Sequence, residues 1–583
     1  MFFKRSILSV FLFSSISFTG FGQGFLKASG TKIIDGQGQN VLLRGIGLGG
    51  WMLQEGYMLK ISKESQQYRI RERITDLMGP KQTQEFYDAW LANHTRKIDV
   101  DSMKRWGFNS IRLPMHYNLY TLPVDQEPVA GKNTWLEKGF ALTDSLLNWC
   151  KANKMYLILD LHAAPGGQGN DLNIADRDPS KPYLWDSEAN QEKTIALWRK
   201  LAERYKNESY IGAYDIINEP NYGFSNPEED KNGTREKVNA PLRKLMVAIT
   251  KAIREVDQQH LIIIEGNGWG NNYNGIFPLW DKNMALSFHK YWNYNDQASI
   301  AHIIKARDEQ NVPVWLGETG ENSNVWFTDA IHLLEKNNIG WSWWPLKKMG
   351  VNNPMEIKSN PNYDALVKYL NYGGNKPKDS NVYSGLMEVA IYSRLENTII
   401  HHDVIDAMIR QPFSNETKPF KANSVQDKSI IYAVDYDLGK NGFAYFDQDT
   451  ADYHTVTNKR TAGNRGGIYR NDGVDIAKDS LQYEKYYVNH IEKGEWLQYT
   501  VKVAQKGNYT LKINAAADQA NGRITILIDG KTIATAVVVP NTGNMKKFAT
   551  FEIKNVPLKA GWQKIRILAA NGGYNFSYIQ FIK

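Results

Sequence analysis

Cysteine is almost missing from this chain: Cys150 is the one example in 583 residues. A single cysteine forms no internal disulfide, and no cysteine cluster exists to hold zinc or an iron–sulfur centre. Long apolar runs are also missing beyond the N-terminus, so nothing later in the chain resembles a membrane-spanning segment. Nor is charge of one sign concentrated anywhere. The 70 Lys and Arg exceed the 62 Asp and Glu to give +8, but they are dispersed without long runs. Such dispersal suits a solvated surface, whereas a nucleic-acid footprint would cluster its cations. What is present is ordinary for a folded protein, 42% hydrophobic and 23% charged, which excludes wholesale disorder. At roughly 100–200 residues per domain the length calls for more than one domain. The excess is aromatic, 12% of residues with 17 Trp. Aromatic rings fill large cores or offer platforms to planar and ring-shaped ligands.

The first residues, MFFKRSILSVFLFSSISFTGFGQG, set Lys4 and Arg5 before an apolar run over 7–18, with Gly20 and Gly22 beyond it. A basic start, a short apolar stretch and small residues at a cut point read as a signal peptide over 1–22. The run is shorter than the ~20 apolar residues of a membrane span. The mature protein is therefore expected to be secreted or periplasmic, with no membrane span and no nucleic-acid partner, and to be a monomer. Cys150, within LTDSLLNWCKANK, falls on the apolar side of a helical pattern and reads as a small core residue.

From about residue 40 to 345, short apolar runs alternate with longer stretches of helical period. The strand-like runs are NVLLRGIGL, FNSIRLP, MYLILDLH, GAYDIINEP, LIIIEG, MALSFH, VPVWLGE and IGWSWWPLK. Runs that are apolar throughout suit strands buried on both faces, and alternation with helices implies parallel crossovers. Eight such strands predict a (β/α)8 TIM barrel, in the α/β class. A helical stretch at about 380–411 has no place in the standard barrel and is assigned to packing on its outer ring. The polar segment 412–428 reads as a linker. Beyond it, EWLQYTVKV, NYTLKINAA, RITILIDG and QKIRILAA alternate in period 2 between Gly and Asn turns, which predicts an all-β sandwich. The expected domains are thus 23–411, a barrel with a helical extension, and 429–583, the sandwich.

Active sites of such barrels lie at the carboxyl ends of the strands. The polar residues closing the apolar runs are Arg112, His162, Asn218, Glu219, His289, Glu318 and Trp344, with Tyr291 two positions after His289. Glu219 ends the fourth run and Glu318 the seventh. Glycoside hydrolysis uses such a carboxyl pair, one acid to protonate the leaving oxygen and one carboxylate to attack or to activate water.

LDLHAAPG, DIINEPN, SFHKYW, WLGETG and WSWWPLK resemble successive signatures of glycoside hydrolase family 5, over roughly 35–410. The resemblance implies a retaining enzyme with Glu219 as acid/base and Glu318 as nucleophile. It further implies that Asn218 holds the sugar 2-hydroxyl and that Arg112 and Tyr291 hydrogen-bond the nucleophile. His162 and His289 would line the subsite at the cleaved bond, with Trp344 as its floor. The opening LLRGIGLGGW is similar to the start of family members acting on β-1,3-glucans. A nearby Arg and a Tyr hydroxyl are expected to lower the nucleophile's pKa, while burial and the neighbouring carboxylate raise that of the acid.

Other signals carry less. GIGLGG over 45–50 matches a dinucleotide fingerprint, but no acidic residue closes a second short strand, and a tight turn is the better reading. His401, His402 and Asp403 are metal-ligand types, yet neighbouring His diverge on a helix, so exposed side chains are expected. Trp51, Trp269, Trp292 and Trp343 read equally as sugar platforms and as packing. In the C-terminal part, AVDYDLG, GGIYRNDGVDI, IEKGEWLQYTV and GGYNFSYIQF are similar to family 6 carbohydrate-binding modules over about 430–583. That resemblance implies a sugar cleft with Asn575 at its base, although His490 and Met545 stand where aromatic rings are usual. It also implies a structural calcium, against which Val434 replaces a customary Glu. No cofactor is expected for catalysis. The partner is a polysaccharide, a β-glucan with β-1,4 linkage favoured; β-1,3-glucan, mannan and xylan remain alternatives, as do transglycosylation and a non-catalytic sugar-binding barrel.

Overall fold

The structure is a computed structural model that describes residues 23–461, 463–479 and 485–583; the expected signal peptide lies outside the described residues. The eight apolar runs form eight parallel strands. These are β1 (Arg44–Gly47), β2 (Ser110–His116), β3 (Tyr156–Ala163), β4 (Ile211–Asp215), β5 (Leu261–Glu265), β6 (Met284–Lys290), β7 (Val314–Gly320) and β8 (Gly340–Trp344). They close into one barrel, β8 pairing with β1. Every residue of β2, β3 and β6 is buried, as expected of strands covered by helices outside and packed side chains within.

Three helices fill the long connection from β1 to β2: α1 (Gln67–Met78), α2 (Pro80–His94) and α3 (Lys97–Trp106). Around the barrel follow α4 (Glu137–Asn153), α5 (Glu188–Tyr205), α6 (Ala240–Arg254), α7 (Ala301–Gln310) and α8 (Asn324–Lys336). In α4, Phe140, Thr143, Leu147 and Cys150 recur at helical spacing on the buried face, so the lone cysteine is a core residue. Ser323 starts α8 by accepting the amide of Trp326, which fixes where the chain turns back after β7. Two further helices, α9 (Pro361–Tyr372) and α10 (Asp379–Tyr392), pack on α1 and α2 through Ile70, Ile74, Phe86, Trp90, Leu366 and Leu386. The helical stretch without a place in the standard barrel therefore covers the helices inserted after β1, and α11 (His402–Ile409) lies against α8.

The C-terminal part is a sandwich of two sheets. One joins β9 (Asn423–Val425), β14 (Trp496–Val503), β19 (Gly561–Asn571), β16 (Arg523–Ile528) and β17 (Lys531–Val538) in that order, with β11 (Tyr445–Phe446) beside β14. The other joins β12 (Ile476–Lys478), β13 (Tyr486–Val488), β20 (Asn575–Ile582), β15 (Gly507–Ala516) and β18 (Ala549–Leu558), with β10 (Ile430–Tyr432) on β20. Alternate residues point inward, and Tyr499, Leu511, Ile513, Ile526, Ile565 and Phe581 make the shared core. Within 412–428, Asn423–Val425 is already a strand of this sandwich.

The two domains pack directly. Ala451 joins the barrel's core cluster and Val325 the sandwich's. A buried polar knot lies between them. Asn324 Nδ2 donates to Asp403 Oδ2 at 2.8 Å and to Asp472 Oδ1 at 3.0 Å, and the amide of Asn471 donates to Asp403 Oδ2 at 2.8 Å.

The glycine run after β1 has a steric cause. A Cβ on Gly47 would stand 2.7 Å from Trp344 Cε3, and one on Gly49 would stand 2.6 Å from Trp344 Cζ2. Only bare backbone leaves room for that indole, and the turn itself comes at Gly50, with φ 86°. Gly49→Ala is expected to lower stability by roughly 1–3 kcal/mol, the usual cost of overpacking, read from urea unfolding, and to lower activity by tilting Trp344.

Candidate active site

Arg112, on β2, stands inside the barrel with its side chain fully buried. Its Nη1 donates to Glu318 Oε2 at 2.8 Å, and Nε and Nη2 donate to Asp215 Oδ2 at 3.1 and 2.9 Å. Nη2 also reaches Asn218 Oδ1 at 2.7 Å and Glu265 Oε1 at 3.2 Å, while Asp160 Oδ2 lies 3.3 Å from Nη1. One guanidinium thus faces four carboxyl groups brought by β3, β4, β5 and β7.

Glu318 receives a second donor, the Tyr291 hydroxyl, at 2.9 Å from Oε1. Glu219 follows β4 with φ 44°, a left-handed conformation that costs a non-glycine residue about 1–2 kcal/mol. Its amide is tied to Glu265 Oε2 at 2.7 Å, and its Oε1 lies 2.6 Å from His289 Nδ1. One oxygen of Glu219, one of Glu318 and a nitrogen of His289 all lie within 4.8 Å of one another. Beside them His162, held by Asp160 Oδ2 at 2.8 Å, stacks on Trp344 with ring centroids 5.0 Å apart and planes 10° apart. These groups open into a cavity of about 1010 Å³.

Burial is the largest influence on both glutamates and raises their pKa values. His289 opposes the rise at each, and Arg112 opposes it at Glu318. The expectation that Arg112 and Tyr291 would leave the nucleophile with a lowered pKa is thus corrected: desolvation outweighs the donors. Burial disfavours charge on His289 too, yet Glu265, Glu219 and Glu318 hold its pKa well above the ordinary imidazole value. These carboxyl groups favour the charged form of His289, whose ring lies between Glu219 and Glu265. Burial and Glu265 push Asp215 well above the usual carboxyl range, and Arg112 opposes that rise.

Of the residues expected at the site, Arg112, His162, Glu219, His289, Tyr291, Glu318 and Trp344 come together here. Asn218 sits behind them, fully buried, with Oδ1 on Arg112 and Nδ2 3.4 Å from His162 Nε2. Asn575 lies in the sandwich, 5% exposed, and its Nδ2 donates to the Met545 carbonyl at 2.6 Å. Trp269 and Trp292 line the cavity, whereas Trp51 and Trp343 are buried packing. His401 and Asp403, expected to be exposed, are buried instead: His401 Nε2 lies 2.8 Å from Glu356 Oε2, and Asp403 belongs to the knot between the domains. Sequence reading missed Glu55, which lines the cavity, and the inner acids Asp160, Asp215 and Glu265. Their signal was visible as single acids inside LILDLH, GAYDII and LIIIEG.

The calcium implied for the sandwich fails a test of fit. Val434 is buried in the apolar core and offers no side-chain oxygen. The carbonyls of Tyr436 and Asp437 beside it accept from the Arg470 guanidinium, a cation already in place.

A family model described as cellulase (glycosyl hydrolase family 5) matches residues 72–350. The barrel is a family 5 glycosyl hydrolase. A second model, carbohydrate binding module (family 6), matches residues 468–583, and the sandwich is a module of that kind. The chain is similar to a β-xylosidase of Phanerodontia chrysosporium, 26% identical over 385 residues that cover 59% of this chain and 75% of that protein. It is similar to endoglucanase C of Acetivibrio thermocellus, 23% identical over 52% of this chain and 91% of that protein. A probable glucan 1,3-β-glucosidase A of Aspergillus niger is 27% identical over 31% of this chain and 41% of that protein. Among the described residues, no helix is long and apolar enough to cross a membrane.

In this family 5 barrel, Arg112→Met would leave buried carboxylates without their cation. A loss of roughly 3–5 kcal/mol at neutral pH is expected by urea unfolding. The deficit should shrink as pH falls and the freed carboxylates take up protons.

Proposed function

We propose that the barrel hydrolyses a β-glucan by double displacement, with Glu318 as nucleophile and Glu219 as acid/base. The observation that carries this reading is the spacing of the pair, an oxygen of each within 4.8 Å. Retaining enzymes hold their carboxyl groups about 5–5.5 Å apart, and inverting ones about 6.5–9.5 Å to admit a water between them. In the first step the Glu318 carboxylate bonds to the anomeric carbon, the bond to the leaving oxygen breaks, and Glu219 gives that oxygen its proton. In the second, water attacks the same carbon, Glu219 takes the water's proton, and Glu318 departs as a carboxylate. Arg112 and Tyr291 position Glu318 for both steps, and His289 in its charged form stabilises Glu219 whenever it is ionised. Trp344 serves as the floor under the sugar and His162 binds its hydroxyls, while Asn218, buried behind them, orients Arg112 and His162.

A β-1,4-glucan is the favoured substrate. The endoglucanase name among the relatives supports it, and the β-xylosidase and glucan 1,3-β-glucosidase names keep xylose- and β-1,3-linked chains in the test. Export, read from residues 1–22, and a monomeric state belong to the same proposal.

The test is a panel of β-1,4-glucan, β-1,3-glucan, mannan and xylan incubated with wild type and Glu318→Ala. Wild type is expected to release sugar that NMR shows first as the β-anomer, and the variant to release none. An α-anomer, or a variant as active as wild type, would overturn the assignment. Glu219→Gln is expected to lose about 10²–10⁴-fold in rate on glucan; on an aryl glycoside whose leaving group needs no proton, kcat/KM should fall much less while the slowed second step lets the glycosyl-enzyme accumulate.

The pH dependence follows from the raised carboxyls. Activity should appear only as Glu318 loses its proton, at a pH above the ~4.3 of an ordinary Glu. It should fall on the alkaline side as Glu219 loses its own proton, a limb that Glu219→Gln abolishes.

A further inference from the structure

Barrel residues alone do not close the catalytic cavity. Asp452, His454, Thr455 and Arg460, which also line it, lie between β11 and β12 of the sandwich. The barrel fixes this loop from its own side. Asn322, just past Glu318 in sequence, donates Nδ2 to the Asp452 carbonyl at 2.7 Å and accepts the Asp452 amide at 3.0 Å. The knot around Asn324, Asp403 and Asn471 holds the far end of the same segment.

Trp292 is where loop and barrel meet. Its backbone is left-handed, with φ 47°, and its carbonyl accepts both the amide and the hydroxyl of Thr455, at 3.3 and 2.6 Å. The imidazole of His454 stacks on its ring at 4.9 Å and 29°, oriented by Asp452 Oδ2 at 2.9 Å from Nδ1. On the barrel side, Tyr291 packs against Trp292 at 5.0 Å and donates its hydroxyl to Glu318. An aromatic wall therefore runs from the nucleophile through Tyr291 and Trp292 to His454. A strained tryptophan persists only where its surroundings over-determine it, and His454 and Thr455 of the sandwich are among those surroundings here.

We propose that this loop forms a sugar subsite next to the cleavage subsite, with Trp292 and His454 as its wall and Arg460 at its rim. The ligand is the next ring of a β-linked glycan, whose apolar face packs on aromatic rings. The inference rests on the proposed hydrolysis of such a glycan. The module then completes the active site and does not act only as a tether.

The test compares full-length wild type, His454→Ala, His454→Phe and Trp562→Ala on β-linked oligosaccharides of increasing length. Trp562, 62% exposed on β19, is the control. His454→Ala is expected to raise KM for the longer oligosaccharides by about tenfold with kcat little changed, as loss of one sugar contact should. His454→Phe keeps the stacking ring and should restore KM, and the control should match wild type throughout. Oligosaccharide KM values for His454→Ala equal to those of wild type, in a protein of unchanged melting temperature, overturn the subsite. If wild type cleaves no glycan in the panel, the substrate reading fails first. Titration of Glu318→Gln with the same glycans then decides the subsite: binding weakened by His454→Ala supports it, and no binding, or unweakened binding, overturns it.

Discussion

Buried carboxyl groups repel one another unless a cation stands among them, and in this barrel that cation is Arg112. Its guanidinium, with no solvent contact, touches acids from β3, β4, β5 and β7. Arg keeps its charge through any physiological pH and presents several donors in a fixed plane, which a lysine would not. The direction in which each donor points determines where the acids can sit. Glu318 is drawn toward the cavity, Asp215 and Asn218 are held behind it, and Glu265, touched by Arg112 at one oxygen, binds the Glu219 amide with the other.

His289 extends the same arrangement outward. Three glutamates surround it and favour its charged form, and its two ring nitrogens face Glu219 and Glu265. The Arg112 cation, with an imidazole whose charged form the acids favour, lets the site hold a nucleophile and an acid close together in the low-dielectric interior. The left-handed backbone at Glu219 is tolerated because its amide and side chain are both committed to this network.

The barrel was legible because burial on both faces writes a strand as an unbroken apolar run, and eight such runs leave few alternatives. The reacting residues were legible because they interrupt those runs at the ends. Asp160, Asp215 and Glu265 were harder to see, since an acid inside a strand looks like a blemish until a guanidinium is known to face it. GIGLGG was read as a turn, and the turn is real, but the spacing of Gly47 and Gly49 is set by an indole almost 300 positions away in sequence. No local pattern carries that information. The role of residues 452–460 was equally invisible: HTVT has no motif, and only the packing of one domain on another places it at the cavity.

Joining of the domains through Asn324, Asp403, Asn471 and Asp472 also bears on how this protein can be cut and recombined. Catalytic and binding domains are often handled as interchangeable cassettes joined by string. Here a blade passed between them would strip one flank from the cavity, uncover Ala451's seat in the barrel core and part buried amides and carboxylates from the partners that satisfy them. Grafting a different module onto this barrel would therefore amount to redesigning the enzyme's mouth.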